Sequence, residues 1–490
     1  MDGKILIRRM MSAEICFMRS IQDMITYEQN ITNKVSEADS GGDSNDAHEN
    51  ENTLTISTSR AAESELWSRS QKYKKSIDWS TRDLTKEDLE TLLRQQLELD
   101  VKLVSYKVRD LTQPGENYSS TMLAVDVTLQ HHLEALPSLS LVAKLLPPTK
   151  FLCEVINIDV TFRKEVNAYT LVFPEFFRLQ TEKEIPENEI LDMSPKFYGA
   201  RINRLGDRNE KADGSAVLLL ENLKVSGYGT GDRRNGLNLK HIELGVSHLA
   251  RFHGLSVALK ILKPQVFKET VLRACETCQI ASQTDETGLP TWIATTIRFV
   301  KEIPECEPYL QKIKNALAQF VKKTVPPKEP FAAFIHNDLW VNNILFQYKK
   351  ETTDIPSRTK FVDFQLTQFS SPAKDLIFFI YSSAKLDVID NHYDDLVQLY
   401  HFEFTNCLRR LDCDTDPFTL EKLQEEISVF GSSEFAHILN MYKFICADQN
   451  QLPELSNDRL EELLEMNTGG DIYRDRVIHL VEDFLHKGWL

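Results

Sequence analysis

The chain has 490 residues, 42% of them hydrophobic and 27% charged, values that are ordinary for globular proteins and that argue against collagen-like, mostly disordered and membrane-embedded classes. Its 73 acidic and 57 basic side chains give a formal net charge of −16, and no long basic run offsets this charge. Such a chain repels nucleic acid and anionic lipid, so we expect no nucleic-acid partner.

The distribution of cysteines and apolar residues favours a cytoplasmic protein without membrane insertion. Arg8 and Arg9 interrupt the N-terminal apolar stretch before it reaches the roughly 7 to 15 residues of a secretory signal. No stretch approaches the roughly 20 apolar residues that span a bilayer. The eight cysteines are too sparse for a disulfide scaffold. Because no second pair completes a zinc site around Cys275 and Cys278, we interpret these two as structural thiols.

Residues 1–75 are predicted to form a disordered acidic tail. The stretch from Val35 to Asn52 contains six acidic residues and no Lys or Arg, and it has too few apolar groups to offset the entropy lost on ordering. The rest of the chain divides into a smaller unit over residues 76–224 and a larger unit over residues 225–490.

The smaller unit begins with a helix and continues with strands. Thr85 followed by Asp88 predicts a helix N-terminus, and leucines at helical spacing continue it to Leu97. Apolar alternation predicts three strands, which we place over residues 101–108, 122–129 and 139–146. A turn over residues 113–120 joins the first two, so we expect a compact antiparallel sheet.

The rest of the chain is predicted to be mainly helical. A helix over residues 160–172 and two strands over 196–202 and 216–220 complete the smaller unit, and the loop over 221–229 is the expected joint. Beyond this loop, short strands are predicted over 333–336, 344–348 and 360–364. The remaining periodic segments are predicted helices over 241–253, 264–283, 292–299, 309–322, 387–411, 420–438, 459–465 and 472–487.

One group of polar residues has the pattern of a catalytic site. The segment 334–346 contains His336, Asp338 and Asn343, and a later strand end supplies Asp363. Phosphoryl transfer requires a carboxylate that orients and deprotonates a hydroxyl, which suits Asp338. It also requires hard oxygen ligands that hold Mg²⁺ on the phosphates, which suits Asn343 and Asp363.

The arrangement resembles the catalytic loop and metal-binding aspartate of protein-kinase-like small-molecule kinases, which include aminoglycoside phosphotransferases and choline kinases. Within that group the chain looks most like the insect ecdysteroid kinase-like, or CHK kinase-like, family, over roughly residues 85–487. Four motifs in the family's order carry this likeness: Leu249–His253, Asp338–Asn343, Val362–Gln365 and Ser371–Leu376. The resemblance implies an α+β, bilobal protein-kinase-like fold, with a small antiparallel β N-lobe containing one helix and a larger, mainly helical C-lobe.

The resemblance also assigns residues that bind the nucleotide. Lys144 occupies the position of the third-strand lysine, whose charge neutralises ATP phosphates. Its expected acidic partner is Glu165, with Glu154 and Asp159 as alternatives. The turn with Gly115, Asn117 and Ser119 matches the phosphate-covering loop by its order in the chain. Glu221 and Leu223 fall at the connector whose backbone holds adenine in this family.

Other positions are expected to support the loop. His336 is predicted to brace it by hydrogen bonds, and Asp375 to accept backbone N–H groups from it. We interpret His253 as a core histidine, whereas Trp340 is equally compatible with packing or with substrate contact. Asn337 stands where many relatives have Gly.

The sequence therefore predicts an ATP- and Mg²⁺-dependent kinase that phosphorylates an alcohol group of a small molecule, by resemblance an ecdysteroid-like steroid or a hydroxylated xenobiotic. One alternative is a choline or ethanolamine kinase, for which Tyr381, Tyr393 and Tyr400 are candidate aromatic cage residues. Another is a catalytically silent, nucleotide-binding pseudokinase. The sequence indicates no oligomeric state.

Overall fold

The structure, a computed structural model, describes residues 84–111, 120–132, 134–147, 153, 157–206, 211–275, 291–322, 325–349, 355–448 and 466–490. The predicted acidic tail and the predicted helix over residues 459–465 lie outside these ranges. So do Gly115, Asn117 and Ser119 of the predicted phosphate-covering turn.

An antiparallel sheet forms the first part of the chain. The strand order is β1-β2-β4-β6-β5, with the short β3 paired to β2. The preceding helix α1 spans Lys86–Leu97 and begins as predicted, because Thr85 and Asp88 cap each other's backbone N–H at 3.1 Å. The strands are β1 Val101–Asp110, β2 Thr121–His131, β3 Glu134–Ala135, β4 Leu139–Leu145, β5 Phe197–Arg201 and β6 Val217–Glu221.

The sheet has its own hydrophobic core. Leu89, Leu92 and Leu93 of α1 are buried against alternate residues of the strands, including Val125 and Leu141. This cluster is separate from the main core of the chain. The predicted antiparallel lobe is therefore confirmed.

The helix between β4 and β5 is longer than predicted. It consists of α2 (Ile158–Asn167), a π-helical turn (Ala168–Val172) and α3 (Phe173–Glu182). The sequence prediction ended this helix at residue 172, two residues before Pro174. Here the proline lies at the start of α3, where its missing N–H is tolerated.

The described residues after β6 build a mainly helical lobe with two small sheets. Their orders are β10-β9-β7 and β11-β8, all antiparallel. The strands are β7 Tyr228–Thr230, β8 Ala333–Ile335, β9 Ile344–Tyr348, β10 Pro356–Phe361 and β11 Gln368–Ser370. The helices are α4 Leu239–Leu262, α5 Pro264–Phe267, α6 Thr291–Lys301, α7 Leu310–Lys322, α8 Ala373–Ser383, α9 Leu386–Arg410, α10 Leu420–Ile445 and α11 Gly470–His486.

Further differences from the prediction are two segments that end differently and one helix that was not predicted. The loop predicted over residues 221–229 ends in β7, which pairs with β9. Strand β10 ends at Phe361, so Asp363 lies beyond the strand and precedes a 3₁₀ turn at Phe364–Leu366. Helix α8 was not predicted because every one of its residues is buried, which leaves no amphipathic period to detect.

The large core packs these helices against β8, β9 and β10, the strands that flank the segments containing Asp338, Asn343 and Asp363. Helix α4 packs along α9 and also contacts β8 and β10. None of the helices in the described ranges combines the length and apolar character needed to cross a bilayer. The α+β class and the arrangement of a small β lobe followed by a helical lobe are confirmed.

Candidate active site

Lys144, Glu165 and Asp363 meet where the two lobes face each other. Lys144 Nζ lies 2.5 Å from Glu165 Oε2 and 2.7 Å from Asp363 Oδ1. These residues come from β4, from α2 and from the turn after β10. Lys144 and Glu165 are buried, whereas the side chain of Asp363 is 23% exposed. The structure therefore brings three of the predicted residues together and selects Glu165 as the partner of Lys144.

The three charges act on one another. Burial favours the neutral amine, but the Asp363 and Glu165 carboxylates outweigh it and raise the pKa of Lys144 above its usual range. Burial, opposed by Lys144 and assisted by the negative charge of Asp363, raises the pKa of Glu165 to about 7. Lys144 is therefore a fixed cation between two acids.

The loop after β8 places Asp338 beside Asn343. The Asn343 side-chain Nδ2 donates to the Asp338 carbonyl at 2.8 Å and to Asp338 Oδ2 at 3.1 Å. The backbone N–H of Val362 donates to the Asn343 carbonyl at 3.0 Å, so Asp363 follows one residue after this contact. Pairing of Ile344 with Phe361 continues the register. Asp338, Asn343 and Asp363 thus lie in adjoining segments.

A buried carboxylate holds the start of this loop. Asp375 Oδ2 accepts the backbone N–H of His336 at 2.7 Å, and Asp375 Oδ1 accepts that of Asn337 at 2.7 Å. His253 Nε2 lies 3.1 Å from Asp375 Oδ2, and its Nδ1 lies 2.8 Å from the Tyr400 hydroxyl. The predictions for Asp375 as an acceptor and for His253 as a satisfied core residue are confirmed.

His336 links the loop to the segment before Asp363. Its Nε2 lies 3.0 Å from the carbonyl oxygen of Val362, and a carbonyl accepts only from an N–H, so Nε2 carries the proton. Its Nδ1 is buried and has no hydrogen-bond partner among the residues that the structure describes. Burial lowers the pKa of His336 despite the nearby Asp375 charge, because a second proton would have no acceptor. These contacts are those of a bracing residue, as predicted.

Two backbone conformations shape the site. Asn337 has φ of 63° and Asp363 has φ of 68°, both in the left-handed region that non-glycine residues seldom occupy. Asn and Asp tolerate this region better than most residues, which suits them to these two positions.

The ring of Phe364 fixes the turn that carries Asp363. Its centroid lies 4.6 Å from that of Phe173, 4.9 Å from His336 and 5.8 Å from Tyr169. Two of these rings belong to the helix that also carries Glu165, so packing couples that helix to the turn.

The connector after β6 is well anchored. The Glu221 N–H donates to the Lys196 carbonyl at 2.8 Å, and the Leu223 carbonyl accepts the Tyr228 N–H at 3.0 Å. Leu223 is buried. The adenine contacts predicted for Glu221 and Leu223 stay predictions.

The chemistry of the donor set fits a magnesium ion. Asp363 supplies a carboxylate, and the Asn343 amide uses its nitrogen on Asp338, which turns its oxygen to the other side. Carboxylate and amide oxygens are preferred ligands of Mg²⁺, which usually keeps several waters. Within the described ranges no group of three His, Cys, Asp or Glu side chains forms a denser metal site.

The candidate aromatic cage is not an open site. The rings of Tyr381 and Tyr393 lie 5.8 Å apart, but Tyr400 contacts His253 and Phe404 instead. Tyr381 and Tyr400 are fully buried. Tyr381 and Tyr400 therefore offer no accessible surface for a choline-like cation, and the Lys487 ammonium already lies 4.6 Å from the centroid of the Tyr393 ring.

Lys374 is a residue that sequence reasoning missed. Its Nζ donates at 3.0 Å to Oδ1 of Asn337, the residue that immediately precedes Asp338. The available signal was its position beside Asp375 in the Ser371–Leu376 motif, where no role was assigned to it.

Comparisons with known proteins found similar solved structures. No curated protein matches the chain. Among solved structures, a spectinomycin phosphotransferase in complex with ADP and spectinomycin is 12% identical, with a TM-score of 0.37 and coverage of 82% of this chain and 98% of that one. A Plasmodium vivax ethanolamine kinase is 10% identical, with a TM-score of 0.36 and coverage of 90% and 99%. A macrolide 2′-phosphotransferase from Brachybacterium faecium is 12% identical, with a TM-score of 0.28 and coverage of 80% and 97%.

The match that defines the family comes from the sequence. Residues 114–413, more than half of the chain, match the sequence model of the ecdysteroid kinase-like family. This segment contains Lys144, Glu165, the loop after β8 and Asp363. The chain belongs to the ecdysteroid kinase-like family.

Proposed function

We propose that the protein is an ATP- and Mg²⁺-dependent kinase that transfers the γ-phosphoryl group of ATP to a hydroxyl of a small molecule. The observation that carries the proposal is the meeting of Lys144, Glu165 and Asp363 next to the Asp338–Asn343 pair. Membership in the ecdysteroid kinase-like family supports a phosphotransferase that acts on small molecules.

Asp338 and Lys144 have separate tasks in this proposal. Asp338 accepts a hydrogen bond from the acceptor hydroxyl and orients its oxygen towards the γ-phosphorus. It takes the hydroxyl proton as the new O–P bond forms and the bond between the γ-phosphorus and its β-bridging oxygen breaks, which releases ADP. Lys144, held by Glu165, binds phosphate oxygens of ATP. In doing so its ammonium exchanges part of its contact with Asp363 for the nucleotide.

Asn343 and Asp363 would hold the magnesium ion, which when bound neutralises charge on the phosphates. When Lys144 binds the nucleotide it releases Asp363, and Asp363 is then free to bind the ion. The Asn343 side chain also holds Asp338 by a hydrogen bond, so the residue that binds the ion also orients the base.

For the acceptor we propose an ecdysteroid-like steroid or a hydroxylated xenobiotic, a choice supported by the family alone. The closed packing of Tyr381 and Tyr400 disfavours the choline-type alternative in its proposed form. The sparse, scattered cysteines support action in the reducing cytoplasm.

The experiment is a transfer assay with ATP labelled at the γ position and a library of hydroxylated sterols, xenobiotics and choline. We expect label on at least one alcohol acceptor, and we expect Asp338→Asn to lower kcat by about 100-fold or more while Mg-ATP binding persists. Asp390→Asn, a change at an exposed aspartate of α9, is the control and should retain wild-type turnover. Binding of Mg-ATP without transfer to any acceptor would instead support the pseudokinase alternative.

A further inference from the structure

Lys374 has an unusual environment for a lysine. It is only 6% exposed, and its ammonium donates to two neutral amide oxygens, Asn337 Oδ1 at 3.0 Å and Gln368 Oε1 at 3.3 Å. No carboxylate of the described part of the chain lies within ion-pair distance of it. A buried ammonium without an acidic partner is rare.

This placement opposes the local electrostatics. Lys374 lies in the first turn of α8, where the positive end of the helix dipole disfavours a cation. Removing an ammonium from water is also unfavourable unless hydrogen bonds offset the loss. An apolar side chain of similar length would avoid both penalties. We therefore attribute the presence of a lysine here to the hydrogen bonds that its ammonium makes.

Those contacts converge on Asn337. Lys374 binds the side-chain oxygen of Asn337, while the next residue, Asp375, accepts the Asn337 backbone N–H at 2.7 Å. Lys374 therefore holds the side chain of Asn337, and Asp375 holds its backbone. That residue has φ of 63°, a conformation that asparagine adopts only with support from its surroundings.

Asn337 directly precedes Asp338. A rotation of its backbone out of the left-handed region would redirect the Asp338 carboxylate and break the contact of Asp338 with Asn343. The Gln368 contact adds a second anchor, because Gln368 pairs with Ile335 at the end of β8. Lys374 thus connects β11, the strand that pairs with β8, to the loop.

We propose that Lys374 is a positioning residue that acts through Asn337, fixing the direction of Asp338 towards the acceptor hydroxyl. The catalytic part of this inference rests on the proposed kinase function. The conformational part, that Lys374 holds the loop over residues 336–343, stands without it.

The test combines Lys374→Met, Asn337→Gly and the double variant. Methionine keeps the length of the side chain and removes the charge, and glycine adopts positive φ without a side-chain anchor. We expect Lys374→Met to lower kcat by about tenfold or more with KM for Mg-ATP within about twofold of wild type. In the Asn337→Gly background the same change should lower kcat by less than about twofold, because the residue it acts through no longer needs the anchor.

Hydrogen exchange of the loop provides a readout independent of catalysis. Lys374→Met should accelerate exchange over residues 336–343 and leave the sheet β1–β6 unchanged. Lys260→Met is the control, since Lys260 pairs with Glu329 and donates to the backbone carbonyls of Pro330 and Ala332 but does not contact the loop. It should not change loop exchange. If Lys374→Met fails to fold, Lys374→Gln replaces it, with a neutral donor in place of the ammonium.

The outcomes separate the two hypotheses. Wild-type loop exchange in Lys374→Met, or equal losses of kcat in the presence and absence of the Asn337 side chain, would overturn the positioning role. A wild-type protein that transfers phosphate to no acceptor would refute the proposed function, and the exchange measurement would still decide whether Lys374 holds the loop.

Discussion

Lys144 Nζ lies 2.7 Å from Asp363 Oδ1, although 219 residues separate the two in sequence and they belong to different lobes. The contact joins the residue proposed to bind ATP phosphates to the residue proposed to bind magnesium. Because Glu165 holds the same ammonium, the lysine is oriented before any nucleotide arrives. Such preorganisation reduces the reorganisation needed when charge moves during transfer.

Replacing Lys144 by methionine should reduce phosphate transfer. Loss of an oriented charge at the phosphates is expected to lower kcat/KM by about 100-fold or more. The thermal stabilisation that Mg-ATP gives the wild-type protein should shrink as affinity falls. Initial rates and unfolding temperatures with and without Mg-ATP measure the two effects.

Lys263→Met is the control for this change. Lys263 forms an ion pair with Glu182 at 2.5 Å on the surface, where a pair contributes about 0–1 kcal/mol. Its loss should leave transfer and nucleotide stabilisation unaltered. Wild-type activity in Lys144→Met would show that Lys144 does not bind the phosphates of ATP in the proposed way.

Replacing Asp375 by alanine should destabilise the fold. The change leaves the backbone N–H groups of His336 and Asn337 buried without acceptors, and such groups cost about 1–3 kcal/mol each. We expect a loss of about 2–5 kcal/mol in the free energy of unfolding, measured by urea denaturation.

An exposed acidic residue calibrates that measurement. Asp475, whose side chain is 61% exposed, can be replaced by alanine with an expected change within about 0.5 kcal/mol. Equal stabilities of Asp375→Ala and Asp475→Ala would show that Asp375 does not support the loop.

The sequence was sufficient where a local pattern determines the structure. The capping residues Thr85 and Asp88 predicted the start of α1, and strand β9 has the predicted bounds of Ile344 and Tyr348. The spacing of Asp338, Asn343 and Asp363 predicted which segments meet. In each case the information lies within a few neighbouring residues or in a motif with a chemical purpose.

The remainder depends on tertiary contacts. The buried helix α8 has no polar face, so no helical period reveals it. The π-helical turn Ala168–Val172 lets the helix continue past Pro174. Lys374 resembles a surface lysine in sequence, and only the packing of α8 against the loop shows that it binds Asn337.

The cysteines provide a test of the structural interpretation of the Cys275 and Cys278 pair. Burial raises the pKa of Cys275 to about 12 and that of Cys446 to about 11, so hardly any thiolate exists near neutral pH. We expect iodoacetamide at pH 8 to alkylate Cys275 and Cys446 only after unfolding in urea, as mass spectrometry of peptides would show. Rapid native labelling of Cys275, or zinc that copurifies in stoichiometric amount, would support redox or metal chemistry instead.

His336 should make the protein sensitive to acid. Its pKa is lowered in the folded state, so below the ordinary histidine value of about 6.5 the unfolded chain takes up a proton that the folded protein refuses. The contribution to stability is therefore present above that pH and is lost as the pH falls, by at most about 1.4 kcal/mol per pH unit. His336→Gln keeps a donor for the Val362 carbonyl and does not titrate.

We therefore expect a smaller fall in the unfolding temperature between pH 7.5 and pH 5.5 in His336→Gln than in the wild-type protein. His392→Gln removes a more exposed imidazole, beside Asp395, and serves as the matched control. It should show the wild-type fall. Parallel pH profiles for His336→Gln and the wild-type protein would mean that protonation at Nδ1 is tolerated, and the absence of a partner for that atom would then not be the reason that the imidazole stays neutral.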